Sequence, residues 1–316
     1  MLEKAYMRAI ILKQWQPGYR GNDKRSRAIP FKIRVAPEVE ACMPVDSEPK
    51  PILPPHIMTA GGFTPSPPVE VEVNGRKFQL VTDSSVACGS EGFTNCEYIL
   101  RDDDIVMFTP EAPEQIEALF DDLTTLWHEK KLQEGINQTD SMHLHVSLYD
   151  EANRPITTTT HPFLEFFIQT IYIRYHTLEY WAKELGPIIR RTQAPLPKRI
   201  APFDDFYPRY DLNVKPIGDK RYTNVNGNQR HVHIEFRSMS SFHKLNKEQF
   251  VKYMKLIYEF MQQALEISTD ITQWKNVLDS DRVIDVYGSG IRDGALPTLR
   301  LAKAAGYTIN TVDPDD

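Results

Sequence analysis

The feature that most constrains this chain is a stretch whose alternate residues carry opposite chemistry. Over Arg230–Phe242 (RHVHIEFRSMSSF), His231, His233, Glu235 and Arg237 alternate with Val232, Ile234 and Phe236. Successive side chains of a β-strand point to opposite sides of its sheet, so this strand has one ionisable face and one apolar face. Hydrophobic elements must cover the apolar face, while the ionisable face either meets solvent or lines a site. Ser141–Leu148 (SMHLHVSL) repeats the pattern, with His143, His145 and Ser147 alternating with Met142, Leu144 and Val146. Phe31–Glu40 (FKIRVAPEVE) is a third strand of this kind, and its Glu38 and Glu40 share a face. Pro37 lacks a ladder donor and predicts an edge position or a bulge there.

Each cluster has a plain reading beside its functional one. Glu38 and Glu40 could lie on a solvated strand face; buried side by side, they would repel unless a hard cation such as Mg²⁺ or Mn²⁺ sat between them. Asp83–Ser84–Ser85 with Glu91 and Glu97 (TDSSVACGSEGFTNCEYI) reads as a polar hairpin, or as a loop whose Gly89 and Gly92 let backbone approach a ligand. The paired histidines His143 and His145 are a stronger ligand signal than a lone imidazole. Upstream of the last strand, Arg221–Tyr222 and Asn224–Gly227 supply donors suited to phosphate or carboxylate oxygens. Several strands offering ionisable residues to one sheet surface point to an acidic, metal-loaded concave site.

Around these strands, helical periodicity predicts helices over Glu114 to about Gln133, Pro162 to about Leu185 and Lys247 to about Ile267. Asn74–Gly75 between Val69–Val73 and Arg76–Thr82 predicts a tight hairpin. Proline-dense tracts, Pro44–Pro68 and Gln193–Pro208, read as loops; with Lys198, Arg199 and Arg209 they are candidate specificity elements. Mixed element order favours an α+β fold with a largely antiparallel, curved sheet and flanking helices. The expected organisation is an N-terminal arm over 1–29, a catalytic domain over 30–279 and a small helical C-terminal extension over 280–316 ending in acidic residues. A net charge of −6 without a long basic block argues against nucleic-acid partners. Cys42, Cys88 and Cys96 are an odd count without zinc spacing, so reduced thiols in a cytoplasmic protein are expected. Neither a signal peptide nor an apolar run of membrane-spanning length is visible, which predicts no membrane partner. No Gly-rich Walker loop or dinucleotide fingerprint is present.

The order of these motifs resembles the glutamine synthetase superfamily, in particular its amidoligase branch. SMHLHVSL is similar to the Gly-Met-His-x-His-x-Ser-Leu segment of glutamine synthetases, and HIEFR to their Arg-Ile-Glu-x-Arg segment. DSSV with the later Glu91 resembles the Asp-x-Ser run and following glutamate of the amidoligases. The match runs over about residues 31–242 as short islands in the right order. It implies a glutamine synthetase catalytic-domain-like fold and an ATP- and Mg²⁺- (or Mn²⁺-) dependent carboxylate–amine ligase working through an acyl phosphate. Its partners would be small-molecule or peptide carboxylate and amine substrates, and a homo-oligomer is compatible with the family.

By this resemblance the metal ligands would be Glu38, Glu40, Glu91, Glu97, His143 and Glu235. Arg237, beside the nucleotide, would stabilise the transferring phosphoryl group, with Glu235 and Arg221 completing the catalytic set. His145, Ser147 and Asn226 would lie along the nucleotide. Two departures stand out: His233 replaces an arginine of the family, and no separate N-terminal β-grasp domain is visible. The competing expectations are a metal-dependent hydrolase built on the same side chains, with Zn²⁺ preferring imidazole nitrogen, and a non-catalytic binding or structural protein that retains the fold.

Overall fold

The computed structural model describes residues 30–52, 69–89, 91–101, 104–136, 140–157, 160–164, 167–168, 214–216, 232–239, 241–277, 283–287 and 296–312. Its main sheet contains β1 (Phe31–Pro44), β2 (Val69–Val73), β3 (Arg76–Val81), β4 (Phe93–Leu100), β5 (Val106–Phe108), β6 (Met142–Asp150), β7 (Val214–Pro216) and β8 (His233–Met239). The strand order is β2-β3-β4-β1-β6-β8-β7, with β5 also on β1, and every ladder in it is antiparallel. Among the described residues, helices α1 (Glu114–Glu129), α2 (Lys247–Thr269), α3 (Ile271–Val277) and α4 (Leu296–Ala304) accompany the sheet in a mixed α+β architecture.

The Asn-Gly signal resolves into the hairpin it predicts. Asn74 and Gly75 both have positive φ, 52° and 81°, the left-handed pair a two-residue turn between twisted strands requires. Pro37 behaves otherwise than expected, because β1 is paired on both sides and is not an edge. Its ladder with β6 runs through Pro37, whereas on the other side β5 ends at Val35 and β4 begins at Glu38. Pro37 falls in that gap, where a missing N–H sacrifices no ladder bond.

Alternate residues of β1, β4, β6 and β8 place Ile33, Val35, Val39, Ala41, Tyr98, Leu144, Val146, Ile234 and Phe236 in one buried core. Helices α1 and α2 begin where periodicity predicts, at Glu114 and Lys247, and end at Glu129 and Thr269. The buried stripe of α1 is Ile116, Leu119, Phe120, Leu123 and Leu126, the spacing of one helical face. α2 starts in a capping box: Asn246 Oδ1 accepts from the Gln249 N–H at 2.9 Å, and Gln249 Oε1 accepts from the Asn246 N–H at 3.1 Å. Tyr258 of α2 stacks on Phe31 at 4.5 Å and donates to the Phe31 carbonyl at 3.0 Å, while Phe260 meets Phe236 edge-on at 6.1 Å. These contacts seat α2 on the apolar face and leave the ionisable face on the opposite side of the sheet.

Two expectations change. The C-terminal segment is not purely helical: β9 (Val283–Tyr287), α4 and β10 (Thr308–Val312) form a strand–helix–strand unit whose strands are parallel. It joins the core through Leu299, Ala302 and a Tyr307–Trp274 ring contact at 5.3 Å. Nor are the three thiols all free. Cys42 and Cys88 form a disulfide across 46 residues with Cα atoms 5.7 Å apart, and Cys96 alone is free and buried. An odd count does not say which thiol is left over; Cys42 shares the face of Glu40, whereas Cys96, opposite Ala41, lies on the other face.

Among the described residues no helix is long and apolar enough to cross a membrane. The N-terminal arm, the Gln193–Pro208 loop, most of the Pro162–Leu185 helix and of the Pro44–Pro68 loop, and Lys198, Arg199 and Arg209 lie outside the described residues.

Candidate metal centre

Strand register assembles the site. In an antiparallel ladder, residues directly opposite each other share a face, so pairing alone states which groups can meet. Glu40 on β1 faces Glu97 on β4, and Glu38 faces His143 on β6. Farther along, Ala36 faces His145 and Arg34 faces Ser147. On the next strand, the β8 position of Glu235 pairs with His145, and that of His233 with Ser147. The β6–β8 register slips by one residue between Met142 and Leu144, so Arg237 and Ser238 together stand opposite His143. Such a bulge locally re-aims a strand and is common beside functional sites.

The side chains on β1, β4 and β6 make one contact network. His145 Nε2 lies 2.8 Å from Glu38 Oε1, and His143 Nδ1 lies 3.6 Å from Glu38 Oε2. The other ring nitrogen of His143 is 3.4 Å from Glu40 Oε1. Ser141 Oγ donates to Glu40 Oε2 at 2.5 Å and lies 2.8 Å from His143 Nε2. Asp83 approaches from the loop after β3, its carboxylate held by the Ser85 N–H at 2.8 Å and the Ser85 hydroxyl at 2.9 Å. Glu38, Glu40, His143 and His145 are each less than a tenth exposed.

Burial on this scale is paid for in protonation. Desolvation pushes the Glu40 carboxyl up to about 7; His143 and the Ser141 hydroxyl pull it down, and Asp83 pushes it up. Desolvation likewise raises Glu97 well above the carboxylate range, reinforced by the charges of Glu38, Glu40 and Asp83. For Glu38, burial also raises the pKa, but His145 and His143 outweigh it and hold the carboxyl well below its usual range. Like charges gathered out of water thus keep protons unless a cation replaces them.

Two triads have ligand atoms within 4.8 Å of one another: Glu38, Glu97 and His143, and Glu40, Asp83 and Glu97. Glu97 belongs to both, so the donor set fits two neighbouring divalent cations bridged by one carboxylate. Carboxylate oxygens outnumber imidazole nitrogens, which suits a hard cation, with His143 tolerating a borderline one.

Of the expected ligands, Glu38, Glu40, Glu97 and His143 converge, and Glu235 occupies the adjoining strand position. Glu91 does not join them: it is exposed on the turn that leads into β4. Asp83 comes into the set in its place, because the loop is fastened over the ionisable face by the Cys42–Cys88 bridge and by Ala87 O accepting from the Ile136 N–H at 2.8 Å. A Cβ at Gly89 would meet the Ile136 side chain, which is itself half-exposed. His145, expected along a nucleotide, is paired with Glu38. Ser147 is buried farther along the same row. Arg221 and Asn226 lie outside the described residues.

Sequence reasoning missed Ser141 and Arg34 as members of this face. Both were findable by counting in twos, Ser141 back from His143 and Arg34 back from Glu38. No family model, curated protein or solved structure matches the chain.

Proposed function

We propose that this chain is an ATP- and Mg²⁺- or Mn²⁺-dependent carboxylate–amine ligase, built on a glutamine synthetase-like catalytic fold of the amidoligase kind. The observation that carries the reading is the convergence of Glu38, Glu40, Glu97 and His143, from three adjacent strands, on the face of the sheet turned away from the helices. The resemblance asks for these four together with Glu91 and Glu235; Glu91 stands apart, and the four that meet are what supports the reading.

Divalent cations here would neutralise the negative charge that phosphoryl transfer concentrates on phosphate oxygens. The chain's own part is to hold them. Glu97 would bridge, Glu38 with His143 and Glu40 with Asp83 would hold one cation each, and β8 would bring Glu235 and Arg237 alongside. A substrate carboxylate would take the γ-phosphoryl group of ATP, releasing ADP, and an amine would then displace phosphate to leave an amide. The substrates would be small-molecule or peptide carboxylates and amines.

The test is phosphate release from ATP and Mg²⁺ across a panel of amino acids and short peptides. Expected is turnover that needs both a carboxylate and an amine, and that disappears in Glu235→Ala while the melting temperature stays near wild type. An unchanged rate in that variant removes Glu235 from the mechanism, and ATP turnover by no pair removes the ligase reading.

One observation favours a second reading. His145 joins His143 within reach of Glu38, so the centre holds two imidazoles, a richer nitrogen supply than Mg²⁺ calls for. A metal-dependent hydrolase would show Zn²⁺ in elemental analysis of the purified protein and no requirement for ATP.

A further inference from the structure

A serine hydroxyl has one proton and two lone pairs, so its partners cannot both accept from it. Ser141 Oγ sits between Glu40 Oε2 at 2.5 Å and His143 Nε2 at 2.8 Å, and Ser141 and His143 are both buried. With a cation bound, Glu40 is ionised and can only accept, so the Ser141 proton then points to it. Ser141 then faces His143 with a lone pair, and Nε2 must carry the ring proton. The neutral imidazole is left with its lone pair on Nδ1, the nitrogen that lies 3.6 Å from Glu38 Oε2. Two ligands of one cation, each about 2.0–2.2 Å from it, stand roughly 3 Å apart, so Nδ1 and Glu38 are placed to share one.

We propose that Ser141 is a positioning residue that fixes the tautomer of His143, so that His143 offers Nδ1 to the cation it shares with Glu38 and Glu97. The inference rests on the metal-centre reading above and adds to it which nitrogen binds and what selects it. Metal-bound histidines generally donate their second N–H to a neighbouring acceptor, which orients the ring and excludes the wrong tautomer. Here the acceptor is a hydroxyl whose own direction is set by a carboxylate of the other triad, so Ser141 ties the two halves of the centre together. Glu40 Oε1, 3.4 Å from Nε2, offers that N–H a second acceptor and works in the same sense.

The experiment uses the full chain with ¹⁵N-labelled histidine and ¹¹³Cd²⁺, which accepts both oxygen and nitrogen ligands. The resonances of His143 among the nine histidines are assigned with His143→Gln. Wild type is expected to show ¹¹³Cd coupling to Nδ1 of His143. Ser141→Ala is expected to lose or split that coupling between the two nitrogens and to weaken Cd²⁺ binding by about 10–100-fold. Ser141→Thr, which keeps the hydroxyl, is expected to restore both.

Coupling to Nε2 in wild type overturns the inference while leaving the metal centre in place. So does a Ser141→Ala protein with unchanged coupling and affinity. If wild type binds neither Cd²⁺ nor Mn²⁺, the metal-centre reading fails, and this inference with it. Should Ser141→Ala fold poorly, the wild-type coupling and the Thr variant decide alone.

Discussion

Leu144 and His143 are chain neighbours on β6, yet they live in different solvents. Leu144 is packed in the core with Val146, Ile234 and Phe236, on the side covered by α1 and α2. His143 is as well buried, but among Glu38, Glu40 and Ser141. Burial on the first face stabilises the fold, at about 25 cal/mol per Å² of apolar surface removed from water. On the second face burial works against it, since Glu40 and Glu97 are driven to hold protons they would release in water. A single alternating strand can therefore serve stability with its even residues and chemistry with its odd ones. The core side supplies the surplus that lets the other side be strained.

The sharpest way to break this contrast is to damage each face separately. Leu144→Ala should lower unfolding free energy by about 2–5 kcal/mol in urea titrations, the usual cost of a leucine-to-alanine cavity. In the protein that remains folded, Mn²⁺ affinity should stay within a few-fold of wild type. A large affinity loss in this variant would mean the faces are not independent.

The disulfide offers the complementary test, because it fastens the loop carrying Asp83 over the ionisable face only. Reduction, or Cys88→Ser, removes a covalent closure across 46 residues and should cost about 2–4 kcal/mol. Unlike the Leu144 cavity, it should also weaken Mn²⁺ binding measured by calorimetry, since Asp83 loses its anchor. Equal affinity before and after reduction would show that Asp83 is no ligand.

How much of this was readable beforehand follows from the same contrast. Alternation is local, so β1, β6 and β8, their two faces and the pairing of ionisable residues with one of them are visible in the sequence. The Asn74–Gly75 turn and the two long helices are local too. Contacts across the chain are not. Asp83 enters the site because a disulfide and a backbone hydrogen bond hold its loop there, and Glu91 leaves it because a turn points outward; neither fact has a local signature. Pro37 misled for a related reason: a proline forbids a hydrogen bond on one side of its strand, and only the sheet shows that β4 and β5 leave that side empty. The β9–α4–β10 unit was missed because two short strands pair in parallel through a crossover, which no five-residue window announces.

The smallest effect is the most diagnostic of the acidic face. Glu40 has a folded pKa of about 7 and Glu97 one well above the carboxylate range, both above the unfolded value near 4.5. A group of this kind contributes its stability below the unfolded pKa and loses it as pH rises through the folded one. The metal-free protein should therefore weaken between about pH 5 and pH 8, with Glu40 alone worth on the order of 3 kcal/mol at most. His161, whose pKa is lowered by burial, acts oppositely: its contribution is full above the unfolded histidine pKa and falls as pH drops below it. Glu97→Gln separates the two. It removes one titrating carboxyl, keeps a donor toward Glu38 and leaves His161 untouched, so the variant's pH profile should be flatter. At pH 8 it should be the more stable protein without metal in denaturant titrations. With saturating Mn²⁺ the order should reverse, because wild type gains binding free energy that the variant, short of its bridging ligand, gains far less of. A variant that is less stable than wild type in both conditions would show that Glu97 is held by neutral packing and not by a charge conflict awaiting a cation.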